Sequence, residues 1–160
     1  MKQSVASKKY QSVGGSRICD ESLRQFVGYN LKRAFNTLHS DLVLTLRPFE
    51  LRMITYTALV LIRDNPGLRQ SQLADALAIE RPNLVVIVDE LERHKLVSRK
   101  PVLTDRRANA LQVTQAGDQP CEAATNALQL HEQRFLQSVD QQAKQTMLQV
   151  LKLIETNSKS

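Results

Sequence analysis

Leu73, Ala74 and Leu77 recur at helical spacing and predict a short amphipathic helix over residues 70–77. A break of a few residues follows. Pro82 then fits the first turn of a second helix, where its missing N–H is no loss. In that helix Leu84, Ile87, Val88 and Leu91 fall at i, i+3, i+4 and i+7 and form one stripe to be buried. Two short helices joined by so brief a turn predict a helix-turn-helix, with the second as its reading helix. The period then changes. Leu96 to Lys100 can pair with Asn109 to Thr114, where Leu111 and Val113 alternate with Gln112. Between them lies a polar tip, Thr104-Asp105-Arg106-Arg107, so the ribbon reads as a wing with two arginines at its end.

The flanks are helical. Leu23, Phe26, Val27, Leu31, Ala34, Phe35, Leu38 and Leu42 give a broad apolar face to a first long helix over Leu23 to about Leu44. Thr45 is read as the N-cap of the next helix, with Pro48 in its first turn. Phe49 to Ile62 is apolar nearly all round, which predicts a strut buried on several sides, ended by Asn65-Pro66-Gly67. Beyond the ribbon, Thr114 caps a mostly polar helix running from Gln115 toward Val139, which Pro120 either kinks or delays. Asp140 caps a last helix with Met147, Val150, Leu151 and Ile154 on one side. One such chain cannot bury both faces of these outer helices, and a symmetric second copy resolves that. The expected fold is mainly α, a winged helix-turn-helix with a two- or three-stranded β wing between N- and C-terminal dimerisation helices. Its parts are a basic arm over 1–20, a dimerisation helix over 21–44, the winged unit over 45–114, and dimerisation helices over 115–156.

Charge sharpens this picture. The chain has 160 residues, a net charge of +6 and a pI near 9.6. Arg93, Lys95, Arg99, Lys100, Arg106 and Arg107 face only Asp105 between residues 93 and 107, whereas acids slightly outnumber bases after residue 115. Basic charge therefore gathers at the end of the reading helix and on the wing, where phosphates would sit. No apolar run approaches the roughly 18 residues of a membrane span, and no signal-peptide core follows Met1, so a cytoplasmic protein without membrane contact is expected. No phosphate loop, nucleophile turn or zinc spacing occurs, and His39, His94 and His131 are scattered. No enzyme activity, cofactor or metal is expected.

The order of helix, turn, reading helix ending in Leu91-Glu92, then Leu96-Val97, Arg99, Asp105-Arg106-Arg107 and Val113-Thr114 before Gly117, resembles the multiple antibiotic resistance regulator (MarR) family. Phe26-Val27-Gly28-Tyr29 before Arg33-Ala34 resembles that family's first helix. The likeness covers roughly residues 20–156, and its most specific part is the wing. It implies a dimeric regulator of transcription that binds a pseudo-palindrome in double-stranded DNA, a repressor released by a small molecule. Arg81 and Asn83 are the polar candidates for base edges, since arginine takes guanine and asparagine takes adenine. Val85 and Val86 flank the buried stripe; they either meet thymine methyls or one of them packs under the wing. Ser71 and Gln72 suit phosphate anchoring, with N-capping by Ser71 the plainer alternative. Arg93, Arg99, Arg106 and Arg107 supply basic charge, and Asp105 can orient a wing arginine. Lys95 stands where relatives usually have a helix-ending glycine, so the helix is expected to end without a left-handed cap. The resemblance also implies an effector crevice, with Tyr29, Asn30, Arg33, Phe49, Met53 and Tyr56 as lining candidates. Arg33 would favour an anion, such as an aromatic acid or its thioester, unless it simply faces solvent. Two rival functions are redox sensing through Cys19, against which stands a plain unreactive cysteine, and a winged-helix adaptor that does not bind DNA.

Overall fold

The computed structural model describes residues 18–102 and 105–157, with the side chains of 102, 105–108 and 157 left aside. The basic arm over residues 1–17 and Thr104 lie outside the described residues. The chain divides after Asn36 into two units.

In the first unit, α1 (Glu21–Arg24) and the start of α2 (Val27–Leu46) replace the single helix expected from Leu23. The break has a local cause. The Asn30 side-chain amide donates to the carbonyls of Arg24 and Phe26, both at 2.8 Å; at Arg24 it engages an acceptor that a continuous helix would fill from its own backbone, while Phe26 O also receives the Asn30 backbone N–H at 3.3 Å. Asp20 accepts from the Arg24 guanidinium at 2.8 Å and from the Tyr29 hydroxyl at 2.7 Å. The Tyr29 hydrogen bond holds the Asp20 carboxyl below the usual carboxylate range, and the same bond pushes the Tyr29 hydroxyl up.

The second unit begins within α2. Thr45 does not cap a new helix; its hydroxyl donates back to Asp41 O at 2.9 Å and α2 runs on to Leu46. Pro48 then sits in a single 3-10 turn, Arg47–Phe49, and α3 starts only at Met53 and runs to Asp64. Glu50, at φ 55°, makes the turn between them. Thr55 fixes the start of α3 by accepting from the Arg52 N–H at 2.9 Å. The strut expected over Phe49 to Ile62 therefore starts about one turn later and runs on to Asp64, and its buried face is Thr55, Ala58, Leu59 and Ile62.

β1 (Leu68–Arg69), which the pattern did not locate, is followed by α4 (Gln70–Ala76) and α5 (Arg81–Arg93), as expected; β2 (Val97–Val102) and β3 (Asp105–Val113) form the expected ribbon but pair further out, so residues 105–107, read as its tip, belong to β3. The sheet has three antiparallel strands in the order β1-β3-β2, with Leu68 opposite Leu111 and Val97 opposite Val113. Leu84, Ile87, Val88 and Leu91 of α5 are buried against Leu59, Ile62, Leu73 and Leu111 in one core. α6 (Gln115–Phe135) adds Cys121 and Ala124 to that core, and α7 (Gln141–Asn157) closes the chain. Thr114 caps α6 by accepting from Gly117 N at 3.0 Å, and Asp140 caps α7 by accepting from Ala143 N at 2.7 Å.

Three helix ends close in the same way without glycine. After α5, Lys95 takes φ 60°, its N–H donates to Glu92 O at 2.8 Å, and Leu96 N donates to Leu91 O at 2.9 Å. The expectation that α5 ends without a left-handed cap is corrected: the cap is present, and a lysine bears its strain. After α4, Ala78 takes φ 51°, with Ala78 N on Asp75 O and Ile79 N on Ala74 O, both at 3.1 Å. Glu50 closes the 3-10 turn likewise.

Ala78 is exposed, so Ala78→Gly relieves about 1–2 kcal/mol of left-handed strain. It gives back about 0.5–1 kcal/mol in unfolded-chain entropy. A net gain of about 0.5–1 kcal/mol in urea unfolding is expected. Gly117 should behave oppositely. A Cβ there would collide with the Leu96 carbonyl oxygen and lie 2.9 Å from its carbon, both backbone atoms. On helix propensity alone Gly117→Ala would add about 1 kcal/mol. We expect a loss of about 1–3 kcal/mol instead, and a stabilised variant would show that the contact does not constrain the fold.

Candidate nucleic-acid interface

α5 turns its apolar stripe inward, and that fixes what points out. Arg81, Asn83 and Arg93 are exposed, and Val86 (63%) and Val85 (43%) are exposed with them. Ahead of it, Ser71 is the second residue of α4 rather than its cap; Arg69 is the N-cap, and the Gln72 side chain accepts from the Arg69 N–H at 2.9 Å. Ser71 is half-buried and Gln72 exposed at the start of that helix.

The acids of α5 are committed to partners. The Arg99 guanidinium on β2 is paired with both Glu92 and Asp89, and its side chain is only 21% exposed. Sequence reasoning grouped Arg99 with the basic residues facing phosphate. The alternation along β2 holds the signal it missed: Val97 is buried, so Arg99, two residues on, shares its inward face, opposite fully buried Leu111. Glu90 pairs with Arg52 at the start of α3. His94, just past the end of α5, lies with Nδ1 3.9 Å from the Glu50 carboxylate. The reading helix is thus tied to the wing by Arg99 and to the turn before α3 by Arg52. Residues 105–107 belong to the β3 backbone; the side chains of Asp105, Arg106 and Arg107 lie outside those described.

Within the second unit a cavity of about 540 Å³ opens among α2, α3, α6 and α7. Its wall is mainly apolar, with Leu38, Leu42, Met53, Leu128 and Met147. Polar groups enter at three places. The Tyr56 hydroxyl and Thr125 Oγ1 lie 3.1 Å apart, Lys144 pairs with Glu132, and His131 is buried. His131 Nε2 has no hydrogen-bond partner; the Asp41 carboxylate is 3.7 Å away, beyond hydrogen-bond length. Of the six lining candidates read from the sequence, Met53 and Tyr56 are at this cavity, and Phe49 is half-buried against the core. Tyr29, Asn30 and Arg33 belong to the first unit. Thr125, Leu128 and His131 were missed, although with Cys121 and Ala124 they repeat at helical spacing along an otherwise polar stretch.

A second recess, about 590 Å³, runs along His39 and Val43 of α2 and Arg47 of the 3-10 turn, then Glu50, Leu51, Arg52 and Ile54. Met53 lines both spaces. Cys121 is fully buried, and that burial pushes its thiol up, away from the reactive thiolate. Cys19 is exposed. Among the described residues no cluster of His, Cys, Asp and Glu could hold a metal, and no helix is long and apolar enough to cross a membrane.

Comparison with known proteins gives a consistent set of likenesses. A model described as "MarR family" matches residues 51–108. A putative transcriptional regulatory protein for the hcr operon of Thauera aromatica is 34% identical over 97 residues, 61% of this chain; the match spans 58% of that relative's length. The transcriptional repressor CouR, solved bound to a 23-mer DNA duplex, is 30% identical with a TM-score of 0.83, over 88% of this chain and 99% of that one. CouR bound to p-coumaroyl-CoA is 27% identical with a TM-score of 0.78, over 87% of this chain and 98% of that one.

The pairing of Arg99 makes a prediction that separates holding from phosphate binding. A double-mutant cycle of Arg99→Gln and Glu92→Gln should give a coupling of about 0.5–1 kcal/mol in unfolding, the range of a well-placed, partly exposed pair. Additive losses would show that the pair holds nothing.

Proposed function

The chain belongs to the MarR family of transcriptional regulators, and on that premise we propose that it is a dimeric repressor. It binds a pseudo-palindromic DNA duplex and lets go when an aromatic acyl thioester fills the cavity beneath the reading helix's supports. The observation that carries the DNA reading is the outer face of α5. Arg81, Asn83, Val85 and Val86 stand exposed on a helix whose other face is locked into the core. Arg81 and Asn83 are assigned to base edges, Val85 and Val86 to thymine methyls. Ser71, Gln72 and Arg93 are assigned to phosphates, and Arg106 and Arg107, oriented by Asp105, to the minor groove. Arg99 acts in this scheme by holding the wing to α5.

The dimer rests on apolar surface that a single chain leaves in water. Phe26, Val27 and Phe35 in the first unit, and Leu148, Leu153 and Ile154 in the second, are each more than a third exposed. The effector reading rests on the apolar cavity with its few convergent polar groups, and on the likeness to CouR, which has been solved with p-coumaroyl-CoA. An effector that favours a form with displaced reading helices must weaken DNA binding by the same factor by which DNA weakens its own binding. Redox sensing has less support: the second cysteine, Cys121, is buried and inaccessible, so the exposed Cys19 has no accessible cysteine partner among the described residues.

The experiment is a titration on a duplex selected from a random pool and on a scrambled one, at several salt concentrations. Asn83→Ala should cost about 1–3 kcal/mol on the selected duplex and little on the scrambled one. Replacing Arg106 and Arg107 together by Ala should weaken both and flatten the salt dependence, because phosphate contacts release counterions. An unaltered protein with no salt-dependent affinity for any duplex would instead make this winged helix a protein–protein adaptor.

A further inference from the structure

Arg52 stands at a junction that the repressor reading does not use. Its guanidinium is paired with Glu90 of the reading helix, yet its side chain is 61% exposed, so an anion can reach it from solvent. It also lines the recess along α2, where Arg47 and His39 add to it and Glu50 is the single acid in the wall. Val43, Leu51 and Ile54 give that recess an apolar floor. Met53 forms part of both the recess and the acyl cavity, so the two spaces adjoin at one side chain.

We propose that this recess binds the phosphate-bearing nucleotide tail of the effector's coenzyme A, and that occupying it draws Arg52 away from Glu90. This rests on the reading that the neighbouring cavity takes an acyl thioester. The chemistry suits one molecule across both spaces: an apolar acyl head among leucines and methionines, and a long anionic tail beside two arginines. Arginine forms paired, charge-assisted hydrogen bonds to phosphate, and a phosphate carries more charge than the Glu90 carboxylate it displaces. Losing Arg52 leaves Glu90 without its link to the start of α3; of the ion pairs from α5 and its end to that turn among the described residues, the longer His94–Glu50 contact remains. That loss is the differential contact that a ligand-driven population shift requires.

The test uses two probes with the same acyl group on the full-length protein: p-coumaroyl-CoA, and p-coumaroyl N-acetylcysteamine thioester, which has no phosphates. The coenzyme A compound should bind about tenfold tighter or better, as expected for recovered charge-assisted hydrogen bonds. Arg47→Glu should remove most of that advantage and leave the affinity for the truncated thioester within twofold. In Glu90→Gln, where the pair is already broken, the coenzyme A compound should weaken DNA binding by no more than the truncated one does. Equal affinity of the two probes for the unaltered protein overturns the proposal and leaves the effector reading standing; this comparison needs no variant to fold. Equal weakening of both probes by Arg47→Glu overturns it too. So does a loss confined to duplex binding, which would assign the recess to the DNA backbone. An undiminished coenzyme A effect in Glu90→Gln overturns the release of the reading helix. If neither thioester binds the unaltered protein, the effector reading fails and the tail site fails with it.

Discussion

The backbone carbonyl of Leu96 is the point on which the reading helix, the wing and the outer helices all depend. Leu96 N–H closes α5 on Leu91, and its carbonyl receives the Thr114 N–H at 3.0 Å. Thr114 in turn caps α6, and Gly117 passes so close to the same carbonyl that no side chain fits between them. Three elements are therefore fixed by hydrogen bonds and a close approach within a few residues. A rotation of α6 must displace Leu96, and Leu96 is continuous with the helix end and with β2. The junction is a mechanical reason for a change at the outer helices to reach the DNA-facing surface, because packed backbone has no soft coordinate to absorb it.

Much of this was legible in the chain. The stripe Leu84, Ile87, Val88 and Leu91 fixed both the existence of α5 and the set of residues left outside it, because burial of one helical face decides the other. The alternation of Leu111, Gln112 and Val113 placed the wing, and Thr114 and Asp140 announced their helices. The less legible features were those decided by contacts between distant segments. Lys95, Ala78 and Glu50 adopt left-handed turns that residue type argues against, and tertiary packing of Leu96, Ile79 and Leu51 against the core requires them. Thr45 and Pro48 looked like a helix start, but α2 runs on past Thr45 to fully buried Leu46, and Pro48 falls in the 3-10 turn that follows. The cavity was half legible for a similar reason. Met53 and Tyr56 lie in an apolar run, whereas Thr125, His131 and Lys144 sit in stretches whose polarity reads as solvent-facing until the opposing helices are in place.

Charge was the other place where pattern and structure parted. Counting basic residues from 93 to 107 treats them as equivalent, yet Arg99 spends its guanidinium on Glu92 and Asp89. The same is true of Arg52 and Glu90. The acids of α5 thus hold the wing and the supporting turn in place, and the exposed basic charge nearby is carried by other residues, Arg81, Arg93, Lys95 and Lys100. Affinity for a polyanion and rigidity of the reading surface are assigned to separate arginines. The division matters because a guanidinium held by two carboxylates is a poor phosphate ligand: a phosphate must displace both.

The proposed response to a small molecule needs the DNA-binding geometry to be held, and held weakly. Exposed ion pairs are each worth about 0–1 kcal/mol and are screened by salt. Coupling between an effector and DNA typically amounts to about 1–3 kcal/mol. The ties from α5 to Arg52 and to Arg99 fall in that range together, whereas the core stripe of α5, with several aliphatic side chains buried at about 1.5–3 kcal/mol each, does not. An effector acting through the ties can therefore redirect the helix and its wing without unfolding either. One that had to disturb the core stripe would cost more than its own differential binding could supply. The position of the cavity follows the same logic: it borders α3 and α6 and leaves Leu84, Val88 and Leu91 of the α5 stripe outside its wall.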